Sequence, residues 1–217
     1  MLKIDTLLLG AVAALTLFSC NSSTAVKPQN SPTMLHDKVI TLAEQKQLTP
    51  DSVVAMLKTG NENFYKNKLT LRNDSLRIHL TASGQYPIAA ILACSDSRIP
   101  VEEVFDKGIG DLFVNRIAGN VADTEILGSL EYACKVSGVK AIMVLGHEHC
   151  GTAKAAIDNV KDGNMTALIS EIRPAVNAVN IKGDNTSKND SLVHDVVEKN
   201  VELTMKRSLP RVSLLSR

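Results

Sequence analysis

Ile88-Ala89-Ala90-Ile91-Leu92-Ala93-Cys94-Ser95-Asp96-Ser97-Arg98 decides the fold. Its first six residues are an unbroken apolar run, which suits a strand buried on both faces. The run stops at a thiol, a carboxylate and a guanidinium. A second apolar run, Ala141 to Leu145, stops in the same way at Gly146-His147-Glu148-His149-Cys150-Gly151. Both sets of polar side chains then sit at the carboxyl ends of buried strands, where open α/β sheets build their sites.

Outward from these two runs, strand and helix patterns alternate. Leu112-Phe113-Val114 reads as a further short strand, and the strand ending at Leu145 starts near Val139. Thr49 is a helix N-cap with Pro50 at the first helical position, followed by Val53, Met56 and Leu57 at helical spacing. Pro100 opens a short helix through Val104. Asp123 to Val136 carries Ile126, Leu127, Leu130, Ala133 and Cys134 on one face and stops at Gly138. Gly151 to Val160 is helical, Ala167 to Val179 is a helix kinked or broken at Pro174, and a last helix begins near Ser191. The expected fold is α/β, a mostly parallel central sheet flanked by helices, in one domain over 37–205. The glycines of Gly108-Ile109-Gly110 and of Gly146 to Gly151 make tight turns and no dinucleotide fingerprint.

Composition agrees with that class. Of 217 residues, 44% are hydrophobic but only 3% aromatic, with no Trp, so the core is aliphatic. The formal charge is +1 and there is no long basic run, which excludes nucleic acid as an expected partner.

The first 20 residues read as a signal peptide. Lys3 precedes an apolar stretch from Leu7 to Phe18, too short for a membrane span of about 20 residues. Leu17-Phe18-Ser19-Cys20 resembles a bacterial lipobox, which would make Cys20 the lipidated residue. Residues 21–36 are a Ser-, Asn-, Thr- and Pro-rich tether. The expected location is the bacterial cell envelope, anchored in the membrane through lipid and facing the periplasm. The competing reading is an ordinary signal peptide or anchor helix with an incidental Cys.

Cys94, His147 and Cys150 offer two thiolates and an imidazole. Three protein ligands for zinc leave a fourth position open, the pattern of catalytic rather than structural sites. A Cys94–Cys150 disulfide is the rival use of the same sulfurs. Asp96 is placed to accept a hydrogen bond from a reacting oxygen, and Arg98 to hold Asp96 ionised through a bidentate pair. The plainer role for these two is a turn-capping carboxylate with a surface ion pair. Thiolates donate more electron density than imidazoles, so such a centre leans on this outer help to acidify water.

These residues resemble the signatures of the β-class carbonic anhydrases over roughly Thr49 to Val201. Cys94-Ser95-Asp96-Ser97-Arg98 and His147-x-x-Cys150-Gly151 match its two motifs in order. Asp111-Leu112-Phe113-Val114-Asn115-Arg116-Ile117-Ala118-Gly119-Asn120 matches the segment between them. The resemblance implies one Zn2+ per subunit on Cys94, His147 and Cys150, with Asp96 as a fourth ligand in the closed state of some members. It implies reversible hydration of carbon dioxide to bicarbonate and a proton by attack of zinc-bound hydroxide, with Asp96 and Arg98 as the catalytic dyad. It also implies a homodimer or higher homo-oligomer. Gln85 would bind bicarbonate, and Phe113 and Tyr132 would wall the substrate pocket, partly across the dimer interface. From the residues alone, Phe113 and Tyr132 also read as core and Gln85 as a turn residue.

Two rival functions share the motifs: a carbon disulfide or carbonyl sulfide hydrolase, and a non-catalytic zinc-binding envelope protein or truncated product. The second rests on residues 206–217, an atypical tail. Ser208-Leu209-Pro210 is expected to break the last helix, and no closing edge strand follows. His149 reads as a proton shuttle, a competing ligand or an inert neighbour. His36, His79 and His194 read as surface or helix residues.

Overall fold

The structure, a computed structural model, describes residues 38–212. Cys20, the expected leader over 1–20, the tether over 21–36 and His36 lie outside the described residues. Strands β1 (Ala89–Ala93), β2 (Leu112–Arg116) and β3 (Ala141–Leu145) form the sheet among the described residues. Both pairings are parallel, in the order β2-β1-β3.

Burial explains the all-apolar β1. As the central strand it is fully buried, and its alternate residues enter two different cores. Ala89, Ile91 and Ala93 pack with Val53, Leu57, Val101, Val104 and Phe105. Ala90 and Leu92 pack on the other face with Leu127, Leu130, Ala133 and Val144. Fully burying a side chain such as Ile91 or Leu92 contributes about 1.5–3 kcal/mol. The helices that supply these cores are α2 (Pro50–Tyr65), α4 (Val101–Val104) and α5 (Thr124–Lys135). Helix α2 starts as the sequence predicts, with Thr49 and Ser52 exchanging capping bonds and Pro50 in the first turn. Asp123 caps α5 by accepting from the Ile126 N–H.

Two short helices lie outside the elements expected from the sequence, although Thr41 and Glu44 form a capping box at the start of the first and Asn73 caps the second. Helix α1 (Leu42–Gln47) is pinned by the buried Gln45, whose Nε2 donates to the Pro87 and Ser137 carbonyls at 2.7 Å each. Helix α3 (Asp74–Thr81) is held by Arg77, 0% exposed and 2.7 Å from Asp111. A buried polar side chain in a short segment reads as a surface residue until its distant partner is known.

The carboxyl half of the chain wraps the ligand-bearing ends of β1 and β3. Helices α6 (Gly151–Ile157), α7 (Met165–Ser170), α8 (Arg173–Ala178) and α9 (Asp190–Val212) share a core with Cys94 and Cys150. The chain does break near Pro174, but before it, so that Pro174 opens α8. One expectation fails. Helix α9 runs through the 205/206 boundary and through Ser208-Leu209-Pro210 to Val212. Pro210 lacks one N–H and so removes a single bond of the helix ladder, and the segment before it is anchored by the buried Asn200, Thr204 and Ser208. No described helix is long and apolar enough to cross a membrane.

Candidate metal centre

Strand register builds the site. Ala93 is level with Arg116 on one side and Leu145 on the other, so the three carboxyl ends share one rim. The chain leaves β1 for β2 on one side and returns to β3 on the other. The crevice at such a reversal is where open α/β sheets bind ligands. Cys94 is the first residue after β1, and His147 and Cys150 follow β3.

The ligand atoms of Cys94, His147 and Cys150 lie within 4.8 Å of one another. Both cysteines are buried and free, so in this structure the two sulfurs are available as ligands and not joined in a disulfide. The His147 side chain is 6% exposed. Its Nδ1 lies 3.0 Å from the Glu148 carbonyl, which only accepts, so Nδ1 carries the proton and Nε2 keeps its lone pair. Nε2 is buried and has no hydrogen-bond partner, an unusual and costly state for a polar atom. A metal ion at this point would satisfy it, and the donor set fits zinc.

One of the two sulfurs is already disposed to carry negative charge. A hydrogen bond from Cys150 lowers the Cys94 pKa far below the ordinary thiol value, against the opposing effect of burial. The Gly119 N–H, 3.3 Å from Cys94 Sγ, adds to that effect. The same hydrogen bond, followed by burial, pushes Cys150 up. One proton is thus shared between two sulfurs, and a cation would take over its stabilising role.

Asp96 faces this group. Its Oδ2 is 3.8 Å from His147 Nε2. Arg98 grips the carboxylate with two parallel bonds of 2.9 Å, from Nε to Oδ1 and from an Nη to Oδ2, and adds its backbone N–H at 3.0 Å. The Arg98 side chain is the main cause that holds the Asp96 pKa well below the usual carboxylate range. The bidentate pair predicted from the Asp-x-Arg spacing is therefore present, and it differs from a plain turn cap in pointing at ligand atoms.

Four contributors carry no label in the sequence reading. Arg116 donates to the Cys94 carbonyl at 2.9 Å and the Asp96 carbonyl at 2.5 Å, fixing the loop between ligand and carboxylate. Gly119 has φ 73°, and a Cβ there would lie 2.5 Å from Ile172 Cδ1, so only glycine brings this N–H to the sulfur. Asn200 donates to the Gly119 carbonyl at 2.8 Å. His194, expected to be a plain helix residue, lies 2.7 Å from Glu148 Oε1. Arg116 and Gly119 lie inside the quoted connecting motif and were findable there. Asn200 and His194 were not, because a helix pattern does not report what its polar residues touch.

The expected substrate residues are elsewhere. Phe113 and Tyr132 do meet, with ring centroids 6.2 Å apart. Phe113 is level with Ala90, near the amino end of the sheet. The exposed Gln85 precedes β1, whose five residues separate it from Cys94 by ~16 Å of strand. Within one chain these three do not join the metal ligands. His149 is exposed and 3.5 Å from Asp190 on α9, outside the ligand group.

The family model described as carbonic anhydrase matches residues 89–214. Carbonic anhydrase 2 of Mycobacterium tuberculosis is 38% identical over 159 residues, covering 70% of this chain and 75% of that protein. This chain belongs to the carbonic anhydrase family, in its β class. The carbonic anhydrase of Mycolicibacterium smegmatis is 37% identical over 127 residues, covering 55% of this chain and 61% of its own length. Among solved structures, the Coccomyxa β-carbonic anhydrase in complex with acetazolamide aligns with a TM-score of 0.58 and 28% identity. That alignment covers 75% of this chain and 72% of the other. The match to residue 214 also argues against treating everything after 205 as foreign to the domain.

Proposed function

We propose that the chain catalyses the zinc-dependent, reversible hydration of carbon dioxide to bicarbonate and a proton. The observation that carries this reading is the convergence of Cys94, His147 and Cys150 around the unpartnered, buried His147 Nε2. Those three residues would hold one zinc ion per chain. Bound zinc supplies a Lewis acid that can lower the pKa of water from 15.7 to about 7.

The chain's own residues supply the rest. Asp96 stays ionised beside the ligand group and accepts a hydrogen bond from the attacking oxygen, aiming its lone pair at the carbon. Arg98 fixes that carboxylate in orientation, and Arg116 fixes the backbone that carries it. Gly119 and Glu148 anchor a sulfur and the imidazole by their outer hydrogen bonds. The direct test is stopped-flow hydration of carbon dioxide by zinc-loaded protein, run beside sulfide release from carbon disulfide and carbonyl sulfide. Fast hydration without sulfide release supports the proposal. The reverse outcome assigns the site to the sulfur substrates.

We further propose that a second copy completes the substrate pocket. Gln85, Phe113 and Tyr132 lie away from their own metal ligands, and Tyr132 is itself a large side chain that is half exposed. Mixing an Asp96→Asn chain with a Gln85→Ala chain should regain activity that neither has alone; no gain in a mixed dimer argues for sites complete within one chain. Finally, we propose a lipid-anchored envelope location through Cys20. Cys20→Ser should move the protein from the membrane to the soluble fraction, and unchanged fractionation counts against it.

A further inference from the structure

We propose that α9 is the brace that sets the metal centre, with Asn200 and His194 as positioning residues for Cys94 and His147. The inference rests on reading Cys94, His147 and Cys150 as zinc ligands and concerns what holds them.

Two of the three ligands make their outer hydrogen bond with a backbone group, Cys94 as acceptor and His147 as donor, and α9 holds another polar group of each of the two residues involved. On one side, the Gly119 N–H donates to Cys94 Sγ, and the buried Asn200 side chain donates to the Gly119 carbonyl at 2.8 Å. The two bonds fall on the two peptide planes that flank Gly119, so together they hold its φ of 73°. On the other side, the Glu148 carbonyl accepts from His147 Nδ1, and the Glu148 carboxylate accepts from His194 Nδ1 at 2.7 Å. Glu198 stands 3.5 Å from the other nitrogen of His194. The next loop residue, His149, has φ 53° and lies 3.5 Å from Asp190, one turn earlier on α9.

Packing closes the same joint. A Cβ on Gly146 would lie 2.7 Å from Val201 Cγ2 and 3.1 Å from Val197 Cγ1, so α9 rests directly on the residue before His147. His194, Val197 and Val201 recur at i, i+3 and i+7, one face of the helix. The helix thereby reaches both strand ends that carry ligands, which no single loop contact does. Outer partners of metal ligands typically contribute 10–100-fold in metal affinity.

The test measures zinc affinity by chelator competition on the reduced full chain, together with melting temperature. Asn200→Ala and His194→Ala act one step further from the metal than a direct outer partner, so each should weaken zinc by roughly 10-fold, the low end of that range. His194→Gln, which can still donate to Glu148, should recover most of the loss. Leu57→Ala removes a fully buried α2 side chain from a core that contains none of the ligands; it should lower the melting temperature while leaving zinc affinity within about twofold of wild type. With cobalt(II) in place of zinc, Asn200→Ala should shift the sulfur-to-metal charge-transfer band, because its effect passes through Cys94. If both alanine variants bind zinc like wild type, or Leu57→Ala weakens zinc equally, α9 contributes only general stability and the proposal fails. Should Asn200→Ala not fold, the half-exposed His194 pair decides the question. Failure of the wild-type chain to bind zinc would instead remove the reading on which the brace depends.

Discussion

Two aspartate–arginine pairs in this molecule have nearly the same contact distance and different work. Asp96 and Arg98 are joined at 2.9 Å, Asp106 and Arg72 at 2.8 Å. The second pair is interior, with side chains 3% and 14% exposed, and its carboxylate also accepts from Asn63 and twice from Thr70. Burial on its own would raise the Asp106 pKa. The hydrogen bonds from Asn63, Arg72 and Thr70 outweigh it and hold the group ionised. The first pair is open, with Asp96 20% and Arg98 59% exposed, and Asp96 Oδ2 still faces His147. A saturated carboxylate ties α2 to the loops around it. A carboxylate with one oxygen turned towards ligand atoms can serve chemistry.

Exchanging the two aspartates for asparagine should produce opposite defects. Asp96→Asn is expected to keep zinc and melting temperature while lowering hydration by about 100-fold or more, since an oriented acid–base group typically contributes 10²–10⁴. Asp106→Asn is expected to leave activity per bound zinc intact and to cost about 3–5 kcal/mol of stability, as when one partner of a buried ion pair is removed. If Asp106→Asn lost activity per zinc, or Asp96→Asn lost stability alone, the contrast would collapse.

A smaller effect should appear in acid. The folded pKa of Asp106 is depressed, so its stabilisation is present above the unfolded carboxylate pKa of about 3.9 and is lost as pH falls through the lower folded value. Wild-type melting temperature should therefore fall more steeply than that of Asp106→Asn as pH drops below about 4. Parallel curves would show that Asp106 gains nothing from its partners. Smaller again is Arg98→Lys, which keeps the charge but loses the planar fork. Hydration should drop roughly 10-fold with zinc retained, and an unchanged rate would show that alignment of Asp96 does not need the bidentate grip.

The same contrast explains what the sequence made legible. Asp96 and Arg98 are two residues apart beside a strand end, so their pairing could be read directly. Arg72 and Asp106 are 34 residues apart, and nothing local links them. The parallel sheet was legible because β1 and β3 are apolar runs ending in ligand residues, and Thr49-Pro50 announced α2 through its capping chemistry. Helices α1 and α3 carry local signals only at their starts, the Thr41–Glu44 capping box and the Asn73 cap, while Gln45 and Arg77 show their buried roles only through distant partners. The expected break at Ser208-Leu209-Pro210 failed because tertiary anchoring of α9 outweighs one proline near its end. Gln85, Phe113 and Tyr132 were named by resemblance, and a single chain holds them at the other end of the sheet from the metal ligands.

The central claim is that Cys94, His147 and Cys150 form one zinc site, and metal stoichiometry tests it most directly. Fully reduced chain, offered excess zinc and then desalted, should retain one equivalent per chain, and Cys150→Ser should lose most of it. A wild-type chain that retains none, or a Cys150→Ser chain that still retains one, would contradict the account.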